Sequence, residues 1–410
     1  MLARSDSEHD DLRGGATPWR KNDAQAPRPS VHTDLQCDVL IVGGGITGAM
    51  MAARLAGDGR RICIVDRERP GFGSTAASTS MLLWEIDTSL ARLTDLYGFE
   101  KASDIYRRSY RATQLLCETL LALPESPHFL TRNSLYLAAA EIGDNELRAE
   151  MTLRHRAGLP GDYLDYRALL QQFGIAREAA LVSPASAEAD RGLMAGAFHR
   201  LASERGVRVF EDDATVFHTA PGCAAVELGS GHAIEARHVV LATGYALPDM
   251  LRSDLHRVTS SWAIATQPQN AASLWPGPAL IWEASTNYIY ARTTQDRRIV
   301  IGGEDDDRVS SQEDRDRLTP DKAAALRKKL RAGGAGPGGN TNCPGPAPSA
   351  PPRAGLPMIG KISGYPGFYA AYGYGGNGIT FSFLAAEIIA ALIRGEYRPW
   401  FDHFAVDRVP

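Results

Sequence analysis

Between Val39-Leu40-Ile41-Val42 and a helical run that begins at Ala49 stands Gly43-Gly44-Gly45-Ile46-Thr47-Gly48. No other stretch of this chain restricts its fold as tightly. The four apolar residues read as a strand buried on both faces. Ala49, Ala52, Ala53 and Ala56 share one helical face, and Gly59 suits the helix stop. Ile62-Cys63-Ile64-Val65 makes a second buried strand, which ends in Asp66. In this βαβ opening each glycine has a mechanical task. Gly43 allows a tight turn, Gly45 lets the backbone approach a pyrophosphate, and Gly48 lets the helix lie close to the strand. The exposed N–H groups and positive dipole end of the helix suit phosphates. Asp66 can accept hydrogen bonds from a ribose. The pattern serves FAD and NAD equally well.

Three later segments favour FAD. Gly73-Ser74-Thr75-Ala76-Ala77-Ser78-Thr79-Ser80 is small enough to lie against a phosphate or a flat ring. Val239-Val240-Leu241-Ala242-Thr243-Gly244 is a buried strand that could return the chain to the nucleotide, after Thr215 and Val216, which could flank an adenine. Gly373-Tyr374-Gly375-Gly376-Asn377-Gly378-Ile379-Thr380 strips bulk from a second helix N-terminus. Its amides and dipole can face a flavin pyrimidine ring, which gains negative charge on reduction. Taken singly, each segment also reads as a surface loop or an ordinary glycine turn.

As a set, and with Gly355-Leu356-Pro357-Met358-Ile359-Gly360, these motifs resemble the glycine oxidase and D-amino-acid oxidase family of FAD-dependent oxidoreductases. That family also includes sarcosine oxidases and D-amino-acid dehydrogenases. The resemblance covers about residues 37–332 and 354–396. It implies an α/β (α+β, two-lobe) fold, with a Rossmann-type FAD lobe and a discontinuous, largely antiparallel substrate lobe. The expected FAD lobe is 36–95 with 190–250 and 354–400. The expected substrate lobe is 96–189 with 251–332. Residues 1–35 are expected to be a disordered polar tail. By motif, FAD contacts carry over to Gly43, Gly45, Ile46, Thr47, Gly48, Asp66, Arg67, Ser74, Thr75, Val216, Ala242, Gly244, Gly376, Asn377, Gly378, Ile379 and Thr380. FAD-dependent hydroxylases open with the same fingerprint but normally carry a late Gly-Asp-Ala stretch, which this chain lacks.

The resemblance implies oxidation of a C–N bond in a D-amino acid, glycine, an N-methyl amino acid or another small amine. Hydride would pass from the carbon beside a neutral amine to flavin N5, and water would hydrolyse the imine. No protein nucleophile is needed. Substrate-positioning candidates are Tyr288, Tyr290 and Arg292, which strand alternation places on one face, with Trp282-Glu283 nearby. Arg292 suits a substrate carboxylate, although an ordinary amphipathic strand has the same look. Trp84 suits the pocket or the core. The electron acceptor is expected to be O2 or a quinone or similar carrier. Two rivals stand beside this reading: a catalytically silent flavin-binding protein impaired at 333–353, and an NAD-dependent dehydrogenase with no use for Gly373–Thr380.

Composition narrows the partners. Lys+Arg is 44 and Asp+Glu 48, a net charge of −4, so no nucleic acid or anionic membrane held by bulk charge is expected. No apolar run approaches a bilayer span, and Met1–Asp10 has no apolar core of a secretory signal. A cytoplasmic location is expected. The five cysteines show no metal spacing and no disulfide framework, and the ten histidines are dispersed. No metal is expected, and FAD is expected to be non-covalent.

Residues 333–355 break the family pattern: thirteen of the 23 are Gly or Pro, six of them Pro. Proline donates no N–H to a central strand. The family normally has a strand of the type Trp-Ala-Gly-Thr-Phe here, leading to Asp-Gly-Leu-Pro, and Ala354 stands where the aspartate would be. Pro344-Gly345-Pro346-Ala347-Pro348-Ser349 can be encoded as CCT-GGG-CCG-GCA-CCT-TCN. Read from the third base, that DNA gives Trp-Ala-Gly-Thr-Phe. A compensating shift near Arg353 would restore the register. A genuine Gly/Pro-rich loop is the rival. Sequencing the gene is expected to show Trp-Ala-Gly-Thr-Phe in a neighbouring frame of this stretch; a verified frame without it removes the idea.

Overall fold

The computed structural model describes residues 28–139, 141–251, 259–285, 288–308, 311–332 and 356–408, and the backbone of short strands at Leu2–Arg4, Thr341–Asn342 and Ala347–Ser349. The first sheet grows around the fingerprint strand Leu35–Val42. Ile62–Asp66 pairs parallel to it on one side and Ala233–Leu241 parallel on the other. Arg208–Glu211 extends the sheet parallel beyond Ile62–Asp66. Phe368–Tyr372 joins Ala233–Leu241 in parallel and pairs antiparallel with Met358–Lys361. Chain ends far apart in sequence thus share one sheet. Val39, Leu40 and Ile41 have no exposed surface, as a strand covered on both faces requires.

Helices Ile46–Leu55, Phe99–Leu121, Arg191–Glu204 and Gly378–Ile393 contribute to one apolar core on this sheet. The last is buried nearly all round rather than along one stripe, with Ala386, Ala390 and Ala391 inside as well as Phe381 and Ile388. Its small residues let neighbouring elements close on every side. Gly375–Ile393 is long and apolar enough to cross a membrane, which the sequence reading did not expect; 72% of its most apolar 18-residue window is buried inside the protein.

The second sheet is largely antiparallel among the described residues. It runs from Thr259–Thr266 through Ile299–Asp306, Ile289–Thr293, Ala279–Glu283, Leu130–Leu137 and Ala179–Glu188 to Met81–Leu82. Ala279–Glu283 and Leu130–Leu137 form a parallel pair inside it. Helix Gln312–Ala332 begins earlier than its proline suggests, because Ser311 Oγ accepts from Asp314 N at 3.1 Å and caps a start upstream of Pro320. Ala347–Ser349 pairs antiparallel with Thr259–Ser261, and Thr341–Asn342 with Ala265–Thr266. Pro348 thus falls on an edge, where a missing N–H is tolerated. The rest of the anomalous stretch, Cys343 included, lies outside the described residues.

Packing moves three expected boundaries. Phe99–Leu121, expected in the substrate lobe, packs through Ile105, Leu116 and Leu120 into the core of the first sheet. Met81–Leu82, expected in the FAD lobe, pairs with Ala179–Glu188 in the second sheet. Residues 28–35, expected in the loose tail, are packed instead: Val31 is 2% exposed and Pro29 O accepts from Glu211 N. Leu2–Arg4 pairs with Val216–His218, and the remainder of 1–27 lies outside the described residues.

A buried charge cluster sits where helix Asp144–Arg156 meets this core. Arg154 Nε donates to Glu150 Oε1 at 2.8 Å, and Nη1 lies 3.7 Å from Glu85 Oε1, all with side chains at most 3% exposed. Glu150 in turn accepts from Leu90 N and Ala91 N, satisfying the start of helix Leu90–Tyr97. The guanidinium lies within 6 Å of the ring centres of Trp84, Tyr106 and Tyr136. Arg154→Met leaves two buried carboxylates without their cation. It is expected to lower unfolding stability by about 3–5 kcal/mol, read as a drop in the urea midpoint.

Candidate active site

At the end of the first strand three backbones touch. Gly43 sits at φ +106°, and a Cβ there would stand 2.3 Å from Ala242 O. A Cβ on Gly48 would stand 1.9 Å from Gly43 O. The helix start is therefore pressed onto the strand ends, and its first amides open into a cleft. Asp66 Oδ2 accepts from Gly44 N at 2.5 Å and Oδ1 from Glu68 N at 3.0 Å. Burial pushes this carboxyl up to about 6. Thr75 Oγ1 accepts from Ile46 N at 2.9 Å, tying the small-residue loop to the fingerprint.

The first part of the cleft, about 1000 Å³, is lined by Gly43, Gly45, Ile46, Thr47, Asp66, Arg67, Ser74, Thr75, Ala242 and Gly244. The second part, about 1300 Å³, shares Ile46, Thr47, Ser74, Thr75 and Gly244 with it, together with Tyr245. The two volumes thus adjoin along these residues, and together they make up the cleft. Its far end is walled by Trp282, Tyr288, Tyr290 and Tyr374, with Gly376, Gly378 and Ile379 of the last helix start. The Trp282 ring stacks on Tyr136 at 4.0 Å, and its Nε1 has no partner among the described residues. Tyr290 lies over Gly302, where a Cβ would fall 2.3 Å from the ring. Burial raises the phenols of Tyr245, Tyr288, Tyr290 and Tyr374, so all are neutral donors near neutral pH.

Several expected contacts do other work. Arg292 lies outside the cleft: its Nε donates to Thr79 O at 2.6 Å and its Nη1 stands 3.3 Å from Glu188, which also binds Arg132. Alternation put Arg292 on the face of Tyr288 and Tyr290, but a buried carboxylate holds it there. Val216 is not on the wall; Ala214 and Phe217 of the same strand are. Gly48 serves packing. Gly376 N donates to Asp87 at 2.6 Å. Asn377 is spent on Glu85 O and Asp87 N, and Thr380 on Leu83 O. These two side chains clamp segment 83–87 to the helix start. Trp84 belongs to the core, its Nε1 donating to Pro184 O.

The sequence reading missed Tyr245, Tyr374, Asp87 and His199. The two tyrosines adjoin glycines already singled out, so the motifs carried a signal for them. Nothing local marked Asp87 or His199. His199, 2% exposed, donates from Nε2 to Gly44 O at 2.8 Å and supports the fingerprint loop from behind.

A model of the family described as FAD dependent oxidoreductase matches residues 38–392. Gamma-glutamylputrescine oxidoreductase of Escherichia coli (strain K12) is 24% identical, over 93% of this chain and 88% of its own. The crystal structure of glycine oxidase from Geobacillus kaustophilus superposes with a TM-score of 0.76 at 19% identity, covering 92% of this chain and 100% of that one. Iminodiacetate oxidase from Chelativorans sp. BNC1 gives 0.70 at 21% identity, over 88% and 96%.

Burial pushes the His199 imidazole from 6.5 down to about 4. The unfolded chain therefore binds this proton more readily. The stability His199 contributes is present above pH 6.5 and is lost as pH falls toward 4, by about 3 kcal/mol at most. Asp66, raised by its own burial, works in the opposite direction over pH 6 to 3.8. The difference between wild type and His199→Gln isolates the histidine: Tm of the variant is expected to fall less on acidification.

Proposed function

This chain belongs to the FAD-dependent oxidoreductase family, and we propose that it oxidises the C–N bond of a small amine or amino acid. The observation that carries this reading is the cleft running from the glycine fingerprint to a chamber of neutral aromatic side chains. The relatives fit it, since by their names one acts on gamma-glutamylputrescine, one on glycine and one on iminodiacetate.

The residues suit FAD. Cβ atoms built on Gly73 and Gly378 meet nothing within 4 Å, so side chains there would take up space a cofactor needs. In this reading Asp66 and Arg67 hold the ribose end, with Ala214 and Phe217 beside the adenine. Gly43, Gly45, Ile46, Thr47, Ser74 and Thr75 hold the pyrophosphate, and Ala242 and Gly244 close that side. Gly378 and Ile379, whose amides open the last helix, face the ring. We read the first sheet with its helices as the FAD lobe and the second as the substrate lobe.

Bound FAD supplies a two-electron acceptor for hydride leaving the carbon beside nitrogen. The chain's own part is to orient that carbon and keep water away. Tyr288, Tyr290 and Trp282 wall the substrate in, and their rings lower the local dielectric. With Arg292 held by Glu188, carboxylate capture is not its task.

The test is spectroscopic. Purified protein reconstituted with FAD is expected to be yellow and to bleach anaerobically with at least one of a panel of D-amino acids, glycine, sarcosine and simple amines. Readmitted air that restores the colour assigns O2 as acceptor; colour restored only by a quinone assigns a carrier. Yellow protein bleached by no amine would be a silent binder, and colourless protein would remove the reading altogether.

A further inference from the structure

Asp87 is a charged group on the wall of the aromatic chamber that no motif singled out. Its position is built rather than incidental. Its own N–H donates to Asn377 Oδ1 at 3.1 Å, and its Oδ2 accepts from Gly376 N at 2.6 Å. The carboxylate lies so close to the glycine turn that a Cβ on Gly376 would stand 2.8 Å from Oδ1. No donor among the described residues reaches Oδ1, and the side chain opens onto the chamber. The other charged side chain on that wall, Arg191, donates from Nε to Ala76 O at 2.8 Å and stands at the start of helix Arg191–Glu204.

An amine substrate of this reaction arrives in water as an ammonium ion, and the carbon gives up hydride only when nitrogen has a free lone pair. The chamber must therefore hold a cation and then take a proton from it. A carboxylate with one open oxygen beside Trp282, Tyr288 and Tyr290 suits both tasks, because ring faces attract ammonium groups as well. Resting on the functional reading above, we propose that Asp87 is a catalytic residue, binding the substrate ammonium and accepting its proton before C–H cleavage. In this step an N–H bond of the substrate breaks and an O–H bond forms on Asp87. The charged pair becomes a neutral pair, and no electrons are exchanged.

The surroundings favour that transfer. Asp87 is exposed to the open chamber. Partial desolvation by the protein packed around it raises its carboxyl to about 6, against a pull from Gly376 N–H and with a further push from Asp305. Tyr245, Tyr288, Tyr290 and Tyr136 are the other titratable groups near it, all held neutral by burial. The same desolvation makes a bound ammonium more acidic, narrowing the gap between donor and acceptor.

The experiment follows kcat/KM for the best amine against pH, in wild type, Asp87→Asn and Asp87→Glu, with flavin content and Tm measured on each. Wild type is expected to lose kcat/KM about tenfold per pH unit below about 6. Asp87→Asn is expected to fall at pH 7 by roughly 100-fold or more, and to rise with pH as the free amine accumulates. Asp87→Glu is expected to restore the wild-type shape. A binding readout needs no turnover: tert-butylammonium, which has no hydrogen on the carbon beside nitrogen, should raise the Tm of wild-type holoenzyme and not that of Asp87→Asn. An Asp87→Asn profile that keeps the wild-type acid limb would overturn the proposal. So would a uniform loss at every pH with ammonium binding intact, or stabilisation of wild type by pivalate in place of tert-butylammonium. Should Asp87→Asn fail to fold, the Asp87→Glu profile and the wild-type probe pair decide. Wild-type holoenzyme bleached by no amine refutes the functional reading instead, and is distinguished by the probe binding, which does not require it.

Discussion

Three stretches of backbone meet at the end of the first strand with no side chain between them. Gly43, Gly48 and the carbonyl of Ala242 approach so closely that a methyl group on either glycine would collide with main-chain oxygen. Much follows from that contact. It holds the helix start against the strand ends, so that its amides open into the cleft instead of into a neighbouring element. It also draws strand Ala233–Leu241, almost 200 residues away in sequence, beside Leu35–Val42. Strand Phe368–Tyr372 then follows on that strand's other edge and delivers the last helix to the same cleft.

A second constraint governs the charges around the chamber. Arg292 is paired with Glu188, Glu188 also with the partly exposed Arg132, and Arg154 with Glu85 and Glu150 in the buried interior. A buried cation without an anion is too costly to persist, so each guanidinium is turned away from the cleft. What remains toward the chamber is mainly uncharged, aromatic rings alongside small and hydroxyl residues, with Asp87 and Arg191 as its charged groups among the described wall residues. The clamp made by Asn377 and Thr380 belongs to the same design. Those side chains look like ring contacts in the sequence, yet they fix segment 83–87 and thereby place Asp87.

The nucleotide half was legible in the sequence because its requirements are local. A strand, a glycine turn and an alanine-faced helix occupy some twenty consecutive residues, and backbone geometry there leaves little freedom. The substrate half was harder to read. Tyr288 and Tyr290 were found by strand alternation, but the same rule misplaced Arg292, since alternation reports a face and not the partner waiting there. Val216 failed for a related reason: the strand was recognised, while Ala214 and Phe217 of that strand reach the wall.

The linear chain by itself determined the βαβ opening and the glycine-stripped start of the final helix, because these are set by steric permission within a few residues; FAD rather than NAD came from the motifs taken as a set. Only tertiary structure decided that helix Phe99–Leu121 joins the first core, that His199 supports Gly44, and that Asp87 faces the chamber. Such choices depend on which buried polar group finds which partner across a hundred or more residues, and no short-range pattern encodes that pairing.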